Sequence, residues 1–198
     1  MLYLAPIVEG HGEVEALPAL LHRIARSASF AGVLRVNPPI RVKSGSFLAD
    51  DDYFRKQVAL ATAKAAQAGG SVLILLDCED DCPGTLGPAL LKKAQAVRAN
   101  VDIFVALAYR EYETWFVAAA RSLRGLRGLP QDLDPPQVVE GIRDAKGWLS
   151  ARMKDAYDPI THQLEFTKQF DLEQARTNRS FDRFCRRIHR LLQGDAVR

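Results

Sequence analysis

Carboxylate side chains follow three apolar segments of this chain, in each case within a few residues of the segment's end. They are Glu9 and Glu13 after the first segment, Asp77, Glu79 and Asp81 after the second, and Glu111 and Glu113 after the third. Oxygen ligands of this kind, without a cluster of His or Cys beside them, suit Mg²⁺ or Mn²⁺ rather than zinc. On an extended backbone Asp77 and Glu79 point the same way, and a cation between them would relieve their repulsion. The three acidic sets therefore predict a divalent metal site.

These residues, and the cysteines and histidine near them, also have interpretations without a divalent metal site. The second acidic set alone is also typical of a solvated turn behind a core strand, but three converging sets are uncommon. Cys78 and Cys82 could suggest zinc, yet a second ligand pair at the required spacing is missing. We therefore expect these two and Cys185 to be free thiols. His11 is predicted to be an ordinary residue of a glycine-rich turn.

The apolar segments that precede the acids are predicted strands. Val72–Asp77 opens with an unbroken apolar run between Gly69-Gly70 and a cluster of charges, which is typical of a strand buried on both faces. Leu2–Val8 and Val101–Ala108 are also apolar runs and are predicted to be strands of the same kind. Arg35–Lys43 contains two prolines and is predicted as an edge strand, because proline is tolerated best at a sheet edge. Helical segments alternate with these strands. The order predicts an α/β fold with a parallel sheet of about four strands, helices on both faces, and acidic strand ends along one side.

The rest of the chain is predicted to be mostly helical. Helices are expected after the first strand and over 50–68, 88–100, from about Thr114, over 136–153 and over 180–192. Residues 1–123 are predicted to form the α/β core and residues 137–198 a helical extension packed on it, in one compact unit. The glycine- and proline-rich stretch 121–136 is predicted as a surface connection. In the helix over 136–153 we expect Val138, Val139, Ile142, Trp148 and Leu149 to contact the core.

Composition limits the class of protein. Of 198 residues, 47% are hydrophobic and 26% charged, as in a soluble globular protein. No apolar run approaches the ~20 residues of a membrane-spanning helix, and the N-terminus lacks the basic region of a signal peptide. A cytoplasmic protein without a membrane partner is predicted. The net charge of +3 is too small to indicate nucleic acid by itself.

Basic residues concentrate in the last predicted helix. Five arginines share one helical face at i, i+4, i+7, i+8 and i+11, namely Arg179, Arg183, Arg186, Arg187 and Arg190. Asp182 is the only acid in that stretch, so the face is predicted to contact nucleic-acid phosphates, with a merely solvated face as the alternative. Lys146 and Lys168 are candidate catalytic residues that would steady a scissile phosphate, although surface lysine is the simpler interpretation.

Three motifs carry a resemblance to a known fold. The segments VEGHGE, LLDCEDD and YREYETW resemble the Toprim domain, the metal-binding fold of topoisomerases, primases and the overcoming-lysogenization-defect nucleases. Their order is similar to that in a family of small stand-alone Toprim-like bacterial proteins grouped as a domain of unknown function. That family shares E-x-E-x-W, matched by Glu111, Glu113 and Trp115, and R-S-F, matched by Arg179, Ser180 and Phe181. The Toprim resemblance covers about residues 1–117, and the family resemblance nearly the whole chain.

The resemblance implies a Toprim-like fold and metal-dependent phosphodiester hydrolysis on DNA or RNA, with one or two Mg²⁺ or Mn²⁺ ions. It makes Glu9 a metal ligand or acid/base. The Toprim D-x-D pair is here Asp77-x-Glu79, one methylene longer, and Asp81 is the candidate for the missing short ligand. Related proteins are often encoded beside an ATPase, and this chain has no ATP-binding motif. A partner ATPase is therefore expected, and a non-catalytic subunit that docks an ATPase or nucleic acid is the alternative function.

Overall fold

The apolar segments form one parallel sheet in a computed structural model, which describes residues 1–194. The strands are β1 (Leu2–Val8), β2 (Leu34–Val36), β3 (Ile40–Arg41), β4 (Ser71–Asp77) and β5 (Ile103–Ala108). Their order is β2-β1-β4-β5, and β3 continues alongside β1 beyond β2. The predicted α/β fold with about four parallel strands is confirmed. The predicted edge strand over 35–43 is two short strands, because Pro38-Pro39 cannot donate to the ladder.

Helices cover both faces of this sheet. They are α1 (His11–Ser27), α2 (Ser44–Ala49), α3 (Asp51–Gln67), α4 (Pro83–Val97), α5 (Thr114–Ala118), α6 (Ala145–Ser150), α7 (Pro159–Gln169), α8 (Leu172–Ala175) and α9 (Arg179–Gln193). The predicted helix over 50–68 is confirmed, and the predicted C-terminal helix appears as α9. Helix α4 begins at Pro83, earlier than predicted, because proline suits the first helical position.

Two hydrophobic clusters lie on opposite faces of the sheet. Side chains alternate along β1, so Leu4 and Val8 enter one cluster while Ala5 and Ile7 enter the other. The first cluster also contains residues of α1, α7 and α9, and the second contains residues of α3 and α4. The C-terminal helices thus share a core with the sheet. The predicted division at residues 123 and 137 stays a prediction, and residues 195–198 of the predicted extension lie outside the described residues.

The predicted helix over 136–153 is wrong. The chain makes a single 3₁₀ turn at Val139–Gly141, and a new short helix, α6, then begins because the Asp144 side chain accepts a hydrogen bond from the N–H of Gly147. Val138, predicted to contact the core, is 67% exposed. Helices α7 and α8 were not predicted. Asp158 caps the N-terminal end of α7, and Pro159 is its first residue. Both residue types are typical of a helix start.

The chain contains no candidate membrane span in residues 1–194, since none of the helices there combines the length and the apolar character that a bilayer crossing needs.

Candidate functional site

The chain order of the strands reverses between β1 and β4. From β1 the chain crosses through α1 to β2 on one side, whereas β4 and β5 lie on the other side. Open parallel sheets place ligand sites at such a reversal, beyond the carboxyl ends of the strands. Glu9 directly follows β1, and Asp77 is the last residue of the neighbouring β4. The predicted convergence of these strand ends is therefore what the topology produces.

The turn after β1 is closed by a buried glutamate. The carboxylate of Glu13 accepts the backbone N–H groups of Glu9 and Gly10 at 3.1 and 3.2 Å, at the N-terminal end of α1. Burial, together with the charges of Glu113 and Glu9, raises the pKa of Glu13 from 4.5 to about 7. One oxygen of Glu9, Oε1, accepts a hydrogen bond from the Ser44 hydroxyl. The other, Oε2, is buried without a hydrogen-bond partner among residues 1–194.

Gly12 fixes this turn against the C-terminal helices. A Cβ at position 12 would lie 2.5 Å from the backbone carbonyl oxygen of Pro159 and would overlap the Gln163 side chain. Helices α1 and α7 therefore approach each other more closely than any side chain at this position permits. The absence of a side chain at Gly12 is therefore what allows this approach.

Asp77 is held at the centre of the carboxylates. Its Oδ1 accepts the backbone N–H of Tyr112 at 2.8 Å, which ties the end of β4 to the turn after β5. Burial raises the pKa of Asp77 well above its usual range, and the charges of Glu13 and Glu113 raise it further. Both effects favour the protonated form of this carboxyl group, and the charge of Lys146 opposes them.

Lys146 is the cation that contacts these acids. Its Nζ lies 3.2 Å from Oε1 of Glu111 and 3.0 Å from Oε2 of Glu113. Burial alone would lower the pKa of Lys146, but Glu113, Asp77 and Glu111 outweigh it and raise the pKa. Glu111 also accepts the backbone N–H groups of Ala145 and Lys146, so it holds the first turn of α6 in place.

Glu113 is 1% exposed and has a second partner. Its Oε1 accepts a hydrogen bond from the Tyr157 hydroxyl at 3.1 Å. Burial raises the pKa of Glu113, although the charge of Lys146 opposes this shift. Burial also raises the pKa of Tyr157, and the charge of Glu113 raises it further.

Strained backbone occurs in the turns after β4 and β5. Glu79 and Arg110 adopt φ angles of 49° and 67°, in the left-handed region that non-glycine residues rarely occupy. Strain of this kind concentrates at functional sites, where surrounding contacts hold it. Here Arg110 donates to the carbonyl of Glu79 and pairs with Asp80, and Arg143 pairs with Asp80 at 2.8 Å. Burial, Glu111 and Glu9 raise the pKa of Glu79.

We use the name acidic cluster for six of the predicted ligands that act on one another electrostatically. They are Glu9, Glu13, Asp77, Glu79, Glu111 and Glu113. Asp81 is exposed in the turn after β4 and makes no side-chain hydrogen bond or salt bridge within residues 1–194. Lys168 is exposed on α7 and likewise makes no ion pair there. The predicted sites at Asp81 and Lys168 stay predictions, and His11 is the exposed first residue of α1.

The acidic cluster is not arranged as a finished metal site. Among the described residues, no group of three or more His, Cys, Asp or Glu side chains has the arrangement of metal ligands. Glu13 and Glu111 use oxygens to bind backbone N–H groups, and Lys146 lies against Glu111 and Glu113. A divalent cation held by Glu111 or Glu113 would therefore displace Lys146 from at least one of these ion pairs. The unpartnered Oε2 of Glu9 fits a cation without such a change.

The five predicted arginines differ in their surroundings. Arg179 is bound by Glu140, and Arg186 by Asp182. Arg183 and Arg190 are exposed, whereas Arg187 is half-buried with its guanidinium 5.6 Å from the centre of the Phe104 ring. Arg179, Arg183 and Arg187 line a groove beside β5, and Arg179 lies near Tyr109, which follows the carboxyl end of that strand.

Several residues of the site were missed from the sequence. The sequence carries no local signal that brings Ser44 to the site, and Tyr157 lies before a helix, α7, that is not among the predicted ones. Arg110 lies inside the acidic motif after β5, where its charge was a usable signal. Arg143 reaches Asp80 across a large sequence separation, and no local pattern predicts that contact.

Two of the motifs meet in the fold. The Ser180 hydroxyl oxygen accepts the indole N–H of Trp115 at 2.9 Å and the backbone N–H of Tyr109 at 3.1 Å. Phe181 packs on the Trp115 ring, with ring centres 5.1 Å apart. The first segment of α9 therefore positions the turn that carries Glu111 and Glu113.

Comparison with known proteins gives one match. The model of a family described as a domain of unknown function (DUF4276) matches residues 8–189, which include every residue of the acidic cluster and all of the R-S-F segment. Searches of curated proteins and of solved structures returned no match. Since the family match spans nearly the whole chain, this protein belongs to the DUF4276 family.

Proposed function

We propose that the acidic cluster binds Mg²⁺ or Mn²⁺ and that the protein hydrolyses phosphodiester bonds in nucleic acid, as a Toprim-like nuclease. One observation supports this proposal: six carboxylates lie where the strand order reverses, and within residues 1–194 a single side-chain cation, the ammonium of Lys146, forms salt bridges with them. Burial and mutual repulsion raise the pKa values of Asp77, Glu13 and Glu113. A bound cation would remove that repulsion.

The residues that would hold the metal are Glu9 and Asp77, with Glu79 and Glu113 beside them. Glu9 has a buried oxygen without a partner, and Asp77 is a buried carboxyl group whose pKa is raised by the charges of Glu13 and Glu113. A bound divalent ion would supply charge neutralisation at the phosphate and a water of lowered pKa. Glu9 is also the proposed proton acceptor, because its Oε2 is not engaged by another group.

Cations beside the acidic cluster and its neighbour Asp80 are the proposed contacts of the scissile phosphate. Lys146 touches the cluster directly, and Arg143 is 71% exposed beside Asp80. Arg110 is largely buried beneath the same aspartate and holds the strained turn in place. The ammonium of Lys146 would be available to a phosphate oxygen if a bound metal took its place beside Glu111 or Glu113.

Cleavage assays with matched variants test this function. Wild-type protein should cleave single- or double-stranded DNA or RNA with Mg²⁺ or Mn²⁺, and chelation should stop the reaction. Asp77→Asn and Glu9→Gln should each reduce cleavage by at least ~100-fold, because an amide keeps the shape but loses the charge that holds the cation or accepts the proton. Glu15→Gln, an exposed acid of α1, serves as the control and should cleave like wild type.

One observation favours a second candidate, the non-catalytic docking subunit for an ATPase or nucleic acid. Lys146 already neutralises part of the cluster, and no ready group of three ligands is present in residues 1–194. Under this alternative the acids and Lys146 are a structural ion-pair network. Saturable metal binding would then be absent, and cleavage would be absent with or without a partner ATPase.

A further inference from the structure

A groove runs along the outer side of β5, away from β4. It encloses about 580 Å³, and its walls are the first turns of α4 and one face of α9. β5 is the last strand of the sheet, and nothing in the described part of the chain pairs with its outer side. No residue of the acidic cluster lines the groove, so it is separate from the site described above.

The main chain of β5 presents hydrogen-bonding groups to this groove. The carbonyls of Asp102 and Ala108 accept bonds from the β4 chain, so the main-chain groups of the alternate residues, Val105 and Leu107, point away from β4. The same direction is visible at Tyr109, whose N–H donates to a serine hydroxyl of α9. Val105 and Leu107 are half-buried and line the groove. An open strand edge of this kind is suited to pairing with another extended backbone.

The α4 wall leaves room for such a backbone. It consists of proline, glycine and leucine residues, namely Pro83, Gly84, Gly87, Pro88 and Leu91. A Cβ built on Gly87 would find one atom within 4 Å, the Leu107 Cδ1 at 3.7 Å, which is an ordinary contact. This wall is apolar, and it would suit small aliphatic side chains of a bound strand.

The α9 wall is basic. Glu140 neutralises Arg179, but neither Arg183 nor Arg187 makes a salt bridge to any residue in 1–194. Arg187 is half-buried over Phe104, and its Nε has no hydrogen-bond partner there. Asp102 acts on Arg187 electrostatically without a salt bridge to it, so Arg183 and Arg187 are two cations on the wall that faces the open edge of the strand that can still pair with an acid.

The spacing of these arginines matches that of an extended chain. Arg183 and Arg187 are one helical turn apart, which corresponds to a rise of about 6 Å. Alternate residues of a strand are about 6.7 Å apart and point to the same side. Helix α9 runs antiparallel to β5, since Arg179 lies near Tyr109 and Arg187 lies near Phe104. Acids at alternate positions of an added strand would therefore reach successive arginines.

We propose that the β5 groove binds an extended acidic segment of a partner protein by strand addition. The partner's backbone pairs with Val105 and Leu107, its alternate carboxylates pair with Arg183 and Arg187, and its intervening aliphatic side chains lie on α4. A second copy of this chain is a poor occupant, because β5-to-β5 pairing would bring two rows of arginines together. A nucleic-acid strand would satisfy the arginines but leave the strand edge and the apolar wall unmatched.

Fluorescence anisotropy with defined peptides tests the proposal. The probe is a labelled octapeptide of four Glu-Val repeats with blocked ends, and the comparison probes are the Lys-Val octapeptide and an eight-nucleotide oligothymidylate. The acidic peptide should bind at least tenfold more tightly than either. N-methylation of its alternate backbone amides should weaken binding by at least tenfold, because it removes the donors for β5.

Variants of the protein separate the groove from general charge. Arg183→Gln with Arg187→Gln should raise the Kd by about tenfold, whereas Arg186→Gln with Arg190→Gln, the same charge change outside the groove, should not alter it. Gly87→Leu should block the groove without loss of melting temperature, since its Cβ meets no backbone. Absence of peptide binding, equal effects of the two arginine pairs, or tighter binding of the oligonucleotide would each overturn the proposal.

Discussion

At the residue scale, the molecule concentrates buried negative charge in one place and supplies little positive charge to balance it. Three carboxyl groups of the acidic cluster, those of Glu13, Asp77 and Glu113, have raised pKa values because they are buried and repel one another. Lys146 offsets part of this charge. Protons, Lys146 and a divalent cation therefore compete for the same carboxylates, and stability should respond to all three.

The first prediction concerns pH. The pKa of Glu13 is about 7 in the folded protein and 4.5 in the free side chain, so the folded state binds more protons than the unfolded state between these values. The stability that this group contributes is full below pH 4.5 and is lost as the pH rises through 7. In urea titrations without metal, the free energy of unfolding should be lower at pH 8 than at pH 5.

Glu13→Gln should flatten this pH dependence, because the amide cannot titrate. Glu15→Gln, an exposed acid in the same helix, should leave it unchanged. A protein that becomes more stable between pH 5 and pH 8, with both variants alike, would contradict the assigned shift.

The second prediction concerns Lys146. Lys146→Met should lower the free energy of unfolding at pH 8 by about 2 kcal/mol without metal, because it leaves the buried Glu113 without its cation. The value lies below the ~3–5 kcal/mol of a fully buried pair because 36% of the lysine side chain is exposed. Lys168→Met, at an exposed position of α7, should change stability by less than ~0.5 kcal/mol. Equal effects of the two substitutions in chemical denaturation would refute the structural role of Lys146.

At the element scale, the C-terminal helices build the site that the strands begin. α6 brings Lys146 to the acidic cluster. Tyr157, two residues before α7, donates a hydrogen bond to Glu113. α9 holds the turn after β5 through Ser180. The contact of α1 with α7 at Gly12 joins the two parts. A loss of helix packing should therefore disturb the site as well as stability.

The third prediction tests that contact. Gly12→Ala should destabilise the protein by about 1–3 kcal/mol, because the new methyl group would lie 2.5 Å from the backbone carbonyl of Pro159, which cannot rotate away. Gly45→Ala, where nothing lies within 4 Å, is the control and should be neutral or slightly stabilising because alanine favours the helix. Thermal unfolding of both variants provides the measurement, and a stable Gly12→Ala protein would contradict the close approach of α1 and α7.

The sequence predicts the elements whose signals are local. Val72–Leu76 is a fully apolar run typical of a buried strand, and parallel strands bring their carboxyl ends to one edge of the sheet, so the approach of Glu9 and Asp77 could be expected. The stretch over 136–153 was mispredicted because its apolar residues imitate a helical face. The cap of Asp144 and the exposed Val138 are visible only in the structure. Tyr157 and Lys146 reach Glu113 through tertiary packing, which no sequence spacing encodes.

At the scale of the whole molecule, two separate surfaces flank the same strand. The carboxyl end of β5 leads into the acidic cluster, and the outer side of β5 forms the groove beside α9. One surface is proposed to bind a divalent cation and a phosphodiester, the other an acidic segment of a partner. Because no residue of the acidic cluster lines the groove, Asp77→Asn should leave peptide binding intact, and Arg183→Gln with Arg187→Gln should leave metal binding intact.

Titration calorimetry of Mn²⁺ into the metal-free protein at pH 8 tests the central claim most directly. Wild type should show saturable binding with a Kd in the micromolar to millimolar range, and Asp77→Asn should weaken it at least tenfold while Glu15→Gln leaves it unchanged. Binding should also weaken at pH 5, where protons occupy the same carboxylates. Absence of saturable binding to wild type, or equal binding to Asp77→Asn, would show that the acidic cluster is not a metal site.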